Sequence, residues 1–187
     1  AMEPTARMKQ QPFAYREWIL EAEPGATSNA YRTVESPTVR CSCDWCKNFV
    51  AWRRSGYPTE VAEMLQRCGL DPFRESDVYQ QALHPDEDSV LYRWFFFFRG
   101  RVLSGPQAWV PTGNHPDPVL AVAYWDLHLV EITGPPVRLA VGFCDSPSRI
   151  KAEGQNVPTA LRTGPTVQVE FRAYVPWTIG EIMPERL

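Results

Sequence analysis

The sequence lacks most of the features that would declare a function outright. No Lys/Arg run and no basic tail occurs, and the formal net charge is −3. Nucleic-acid binding draws on a positive surface that displaces counterions, so that class is set aside. The small basic spots Arg53-Arg54 and Arg99-Gly100-Arg101 read as a solvated helix face and a hairpin turn. No apolar stretch reaches the roughly 18 residues of a membrane span, and no charged start leads into an apolar run as a signal peptide would. Five cysteines, an odd number, without an export signal point to a reducing cytoplasm. G-x-S-x-G, G-x-x-x-x-G-K-[ST] and H-E-x-x-H are all missing, which weighs against an enzyme without closing that class. A second C-x-x-C is missing too.

What is present fits a globular protein. Of 187 residues, 44% are hydrophobic and 22% charged, enough for one substantial core in one domain spanning 1–187. Aromatic residues are plentiful, and the 18 prolines favour loops and short strands over long helices.

The organising stretch is 39–72, between an N-terminal arm (2–38) and a β-rich remainder (88–187). A first helix is predicted from Ser42 or Cys43, with Ser42 as its cap, Asp44 in the first turn, and Trp45, Phe49 and Trp52 on one apolar stripe. A second helix opens at Pro58 and buries Val61, Met64, Leu65 and Cys68. Gly69 stands where a left-handed cap belongs, and Asp71-Pro72 stops the helix. Together they are predicted to form a helical hairpin N-terminal to the sheet.

Elsewhere Phe13–Ala22 reads as either helix or strand, Ala26–Asn29 as loop, and Tyr31–Thr33 and Val39–Cys41 as extended pieces. Ser76–Leu83 suggests a turn of helix. Val90–Leu103 reads as a central strand, a tight turn near Arg99-Gly100 and a returning strand. Ala121–Ile132, Val137–Phe143 and Val167–Val175 alternate in polarity as strands do. In the last, Val167, Val169, Phe171 and Ala173 point inward and Gln168, Glu170 and Arg172 outward. Residues 145–166 read as a long loop. The fold class is therefore α+β, a mostly antiparallel sheet or sandwich with the helical hairpin before it.

Three constellations bear on chemistry. Cys43-x-x-Cys46 has the spacing of a zinc half-site, and Cys41, two residues upstream, points the same way in extended backbone. Cys68 is the first candidate for a fourth ligand; His84, His115 and His128 are the others. Alternatively, a C-x-x-C opening a helix supports thiol redox chemistry, with Cys43 attacking and Cys46 resolving, although no thioredoxin-like βαβ order surrounds it. The plainest reading makes the cysteines small buried hydrophobes, as the stripes of Cys46 and Cys68 allow. Asp126 and His128 share a strand face, where a carboxylate could orient an imidazole base; a solvated cross-strand pair is the more common origin of such an arrangement.

The order CDWCKNF, Pro58, MLQRCGLDP resembles a bacterial family of uncharacterised proteins with C-x-x-C-x-N-[FY], a spacer with Pro, and a helix ending near G-[IL]-D-P. A Tyr- and Phe-rich strand, Tyr92–Arg101 here, and a late Pro-Trp, Pro176-Trp177 here, follow in both. The resemblance covers residues 31–104 and the C-terminal end. It assigns Cys43, Cys46, Asn48, Pro58, Gly69 and Asp71 to a shared motif and implies no activity.

Aromatic-rich strands, a mild negative charge and missing catalytic motifs favour a non-catalytic module that binds a protein or peptide, without cofactor. The alternative is a zinc-binding or thiol-redox protein built on Cys41, Cys43 and Cys46. Oligomeric state is not encoded in any feature of the sequence.

Overall fold

A computed structural model describes residues 12–83, 88–112 and 125–180. The fold is α+β, and its main sheet is antiparallel throughout. Its spine is β4 (Ser89–Ser104), a single strand of 16 residues. One edge of β4 is zipped to β9 (Thr166–Pro176), from Ser89 opposite Pro176 to Arg99 opposite Thr166. The other edge is shared by two strands. β3 (Asp77–Leu83) pairs with its first half, and β2 (Trp18–Ala22) with its end, Gly100–Ser104. β1 (Phe13–Tyr15) completes the sheet beyond β2; β8 (Ala140–Cys144) and β7 (Val130–Glu131) extend it beyond β9. β5 (Trp109–Pro111) and β6 (Trp125–Leu127) form a separate two-stranded pair.

Between β3 and β2 the edge of β4 has no strand partner, and side chains fill in. The Phe97 N–H donates to Tyr31 Oη at 2.8 Å and the Arg99 N–H to Thr27 Oγ1 at 3.0 Å. Both acceptors come from α1 (Pro24–Ala30) and the 3₁₀ turn Tyr31–Thr33 that continues it. The buried backbone donors are thus satisfied without a ladder.

Four further helices follow: α2 (Pro37–Arg40), α3 (Asp44–Arg53), α4 (Thr59–Cys68) and α5 (Pro147–Glu153). α3 and α4 are the two helices that the apolar spacing predicts, and Val61, Met64, Leu65 and Cys68 are buried as expected. Gly69 caps α4 at φ 76°, and the Leu70 N–H returns to the Leu65 carbonyl at 2.9 Å, closing the helix end. The predicted N-terminal helical hairpin is not formed. The described chain opens with the β1–β2 pair, α4 lies against α1, and α3 lies against β9.

Other local expectations are overturned by long-range contacts. Ala26–Asn29 lies within α1, started by Pro24 in its first turn. Tyr31–Thr33 is 3₁₀, and Val39-Arg40 ends α2. Ser76–Leu83 supplies β3 rather than helix, because the open edge of β4 outweighs a weak local preference. No turn forms at Arg99-Gly100. Gly100 serves close approach instead: a Cβ there would stand 2.1 Å from the Glu21 carbonyl oxygen on β2. The stretch 145–166 holds α5 and two 3₁₀ turns. Of Ala121–Ile132, residues 121–124 lie outside the described residues, and the remainder is split into β6 and β7.

The larger part of the core sits on one face of the sheet, and Phe95 and Phe97 of β4 are buried on the other. Tyr92, Trp94, Phe96 and Phe98 of β4 stand opposite Ala173, Phe171, Val169 and Val167 of β9, and all eight are buried. Trp94 stacks on Phe171 at 5.5 Å, and Phe49 and Trp52 of α3 close over Trp94 at 5.1 and 5.4 Å. The sheet curls enough for Trp18 of β2 to reach Phe143 of β8 at 4.9 Å. The opposite face is covered as well, by α5 and Trp109. Gln168 and Glu170, expected to face solvent, are fully buried there, while Arg172 is exposed as expected.

Candidate metal centre

Cys41, Cys43 and Cys46 meet at the junction of α2 and α3. Cys41 follows the last turn of α2 in extended backbone (φ −88°, ψ 128°). Cys43 is also extended (φ −70°, ψ 154°) and is the N-cap of α3. Alternation across two extended residues turns both side chains the same way. Cys46 rises from the first turn of α3 to join them. The three sulfurs all lie within 4.8 Å of one another, and Cys41 Sγ lies 3.1 Å from Cys43 Sγ. Thiolates around a tetrahedral zinc ion, with bonds of about 2.3 Å, stand about 3.8 Å apart. One sulfur pair stands closer than that, at 3.1 Å, and no pair lies beyond 4.8 Å.

The expected Ser42 cap is not made; Cys43 holds the cap position without a side-chain bond of its own to the helix amides. Cys41 and Cys43 are exposed and Cys46 is half-buried. Hydrogen bonding from the Cys43 thiol, then from the Cys43 backbone and the Cys46 thiol, lowers the pKa of Cys41. Burial raises that of Cys46, reinforced by its bonds to the other two thiols. The cluster therefore contains one thiol eased toward thiolate and one held as thiol, and a bound cation would favour deprotonation of all three.

The platform under the loop is held by hydrogen bonds and a ring contact. Asn48, fully buried, donates from Nδ2 to the Pro176 carbonyl at 3.1 Å and accepts the Thr178 N–H at 2.9 Å. Tyr92 Oη donates to the Trp45 carbonyl at 2.7 Å, and the Trp45 ring meets Trp177 edge-on at 5.3 Å. The start of α3 is thus tied to the late Pro176-Trp177, with Asn48 as the clamp between them. Pro58, Gly69 and Asp71 do punctuate α4: Pro58 precedes it, Gly69 caps it, and Asp71 Oδ1 accepts the Phe73 N–H at 2.9 Å.

The other proposed ligands do not join. Cys68 is fully buried on the core side of α4 and lies outside the thiol group. Its burial raises its pKa. His128 is exposed beyond β6 and is not part of the group either. His84 and His115 lie outside the described residues. Asp126 and His128 are both exposed, Asp126 opposite Val110 on β5, and among the described residues no hydrogen bond joins their side chains.

Two buried charge clusters escaped sequence reading. Arg53 is not on a solvated face: it pairs with fully buried Glu75, its guanidinium also within reach of Ser36 and Thr38 hydroxyls. On the far face of the sheet, Glu170 lies 2.9 Å from Arg93 Nε and accepts the Trp109 indole N–H at 3.1 Å and the Gln168 amide at 2.7 Å. Arg149 of α5, paired with Glu153, lies 4.0 Å above the Trp109 ring. Burial pushes the Glu170 carboxyl up to about 7, against the pull of Arg93 and the Trp109 N–H. Both clusters join segments far apart in sequence, so no local pattern announces them.

No helix among the described residues is long and apolar enough to cross a membrane. Comparison with protein-family models, curated proteins and solved structures found no match for this chain.

Proposed function

We propose that the protein is a non-catalytic binding module whose Cys41–Cys46 loop holds one thiophilic metal ion, zinc in the first instance, and presents it at the surface to a protein or peptide partner. The observation that supports this is the convergence of three sulfurs within 4.8 Å on a loop whose base is locked to the sheet. All-sulfur donors suit zinc and other soft cations. Three protein thiolates leave one coordination position for water or for a donor supplied by a partner.

The core does not pass through this loop. Trp94, Phe171 and Phe49 are sealed without it, so the ion would order a surface loop rather than build the fold.

The test is elemental analysis of protein purified without a metal-affinity column and loaded with zinc, with thiols counted in parallel. The expected result is about one zinc per chain, lost on Cys43→Ser or Cys46→Ser and kept on Cys68→Ser. Absence of retained zinc, with all five thiols freely titratable once the chain is denatured, would overturn the reading.

A further inference from the structure

Three thiols can pair in three ways, and the geometry distinguishes them. Cys41 and Cys43 are exposed, lie in extended backbone, and bring their sulfurs to 3.1 Å. That is about 1 Å longer than a disulfide bond. Between them stands only exposed Ser42. Cys46 differs in both respects. It is half-buried, and it is carried by the first turn of α3, whose backbone is held by Tyr92 at Trp45 and by the Asn48 clamp two residues on. Moving the Cys46 sulfur means moving a helix tied to β4 and to the C-terminal segment. Moving Cys41 means adjusting a short exposed link. Cys68 and Cys144 are sealed in the interior, out of reach of an oxidant.

We propose that Cys41 and Cys43 are an oxidisable pair: a peroxide closes them into a disulfide, and the closed loop no longer holds a metal ion. The second half rests on the metal reading above; the first does not.

The chemistry balances. The Cys41 sulfur, as thiolate, attacks one oxygen of the peroxide. An S–O bond forms, the O–O bond breaks, and hydroxide leaves and is protonated to water. The Cys43 thiolate then attacks the Cys41 sulfur of the sulfenic acid. The S–S bond forms, the S–O bond breaks, and a second water departs. Two thiols and one hydrogen peroxide give one disulfide and two waters, with two electrons passing from sulfur to oxygen. Disulfide sulfur is not a thiolate ligand, so two of the three donors are withdrawn together and Cys46 alone cannot retain the ion.

Zinc-loaded and metal-free protein are each treated with hydrogen peroxide while a chromophoric chelator reads released zinc, then quenched by alkylation in denaturant and mapped by tandem mass spectrometry. The expected product is a peptide about 2 Da lighter, linked Cys41 to Cys43, with Cys46, Cys68 and Cys144 alkylated. Zinc is released in step with the disulfide. Cys46→Ser, assayed metal-free, still forms the link; Cys43→Ser does not, and its Cys41 proceeds to the sulfinic acid. A Cys43–Cys46 disulfide, or peroxide leaving Cys41 and Cys43 free in the metal-free protein, would overturn the pair. A Cys41–Cys43 link in protein that never retained zinc upholds the pair and removes the metal reading. A linked protein that keeps its zinc upholds the disulfide and overturns the release.

Discussion

Cys68 and Cys41 are the same residue in opposite circumstances. Cys68 sits fully buried on α4 among Val61, Met64 and Leu65, where its thiol is a small hydrophobe. Cys41 stands in solvent beside two other thiols on the loop between α2 and α3. The difference teaches that burial, not residue type, divides structural sulfur from chemical sulfur here. It also separates what each region should govern. The core cysteine should govern stability, and the loop cysteines metal retention and oxidation.

Asn48 joins the two regions, and its loss should have the largest effect. Asn48→Ala leaves the Pro176 carbonyl and the Thr178 N–H without their partners, costing about 2–4 kcal/mol in urea unfolding. It should also weaken zinc retention, because the base of the loop is released. A loss of stability below about 1 kcal/mol would show that the clamp is redundant. Next comes Cys68→Ser, which places a hydroxyl in an apolar pocket and should cost about 1–3 kcal/mol while zinc retention stays unchanged. Cys43→Ser, measured metal-free, should shift stability by less than about 0.5 kcal/mol. If the two serine variants behaved alike in both assays, the division between core and loop cysteines would fail.

A further effect concerns pH. The Glu170 carboxyl is raised from its ordinary 4.5 to about 7, first by burial. Between those values the folded chain keeps a proton that the unfolded chain has lost, so stability falls as pH rises through that window and levels off above it. Glu170→Gln removes this contribution. Between pH 5 and 8 the variant should lose less stability than the parent, by about 2–3 kcal/mol. Parallel profiles for the two proteins would place the Glu170 carboxyl in its ordinary range. Cys43→Ser should leave the parent's slope intact.

The same division marks how much could be read from the sequence. α4 was legible because Val61, Met64, Leu65 and Cys68 recur at helical spacing and Gly69 closes the helix. The inward set of β9, Val167, Val169, Phe171 and Ala173, was legible from alternation. Its outward set was not, because the cover over Gln168 and Glu170 comes from Trp109 and α5, which no local pattern places there. β3 was hidden for a related reason: its strand exists because β4 offers an edge. Gly100 reads locally as a turn, and only the approach of Glu21 explains it as a contact. At the site, the spacing of Cys41, Cys43 and Cys46 pointed to convergence. Spacing also put Cys68 on the buried stripe of α4; what it left open was whether that stripe turns toward the thiol cluster, because that depends on how α4 docks.

The central claim is that three thiols of one loop hold the ion and that Cys68 takes no part. X-ray absorption at the zinc edge of the loaded protein tests it most directly. The account predicts three sulfur neighbours at about 2.3 Å and one lighter atom in the remaining position. Four sulfur neighbours, or a shell of nitrogen and oxygen near about 2.0 Å without sulfur, would contradict it.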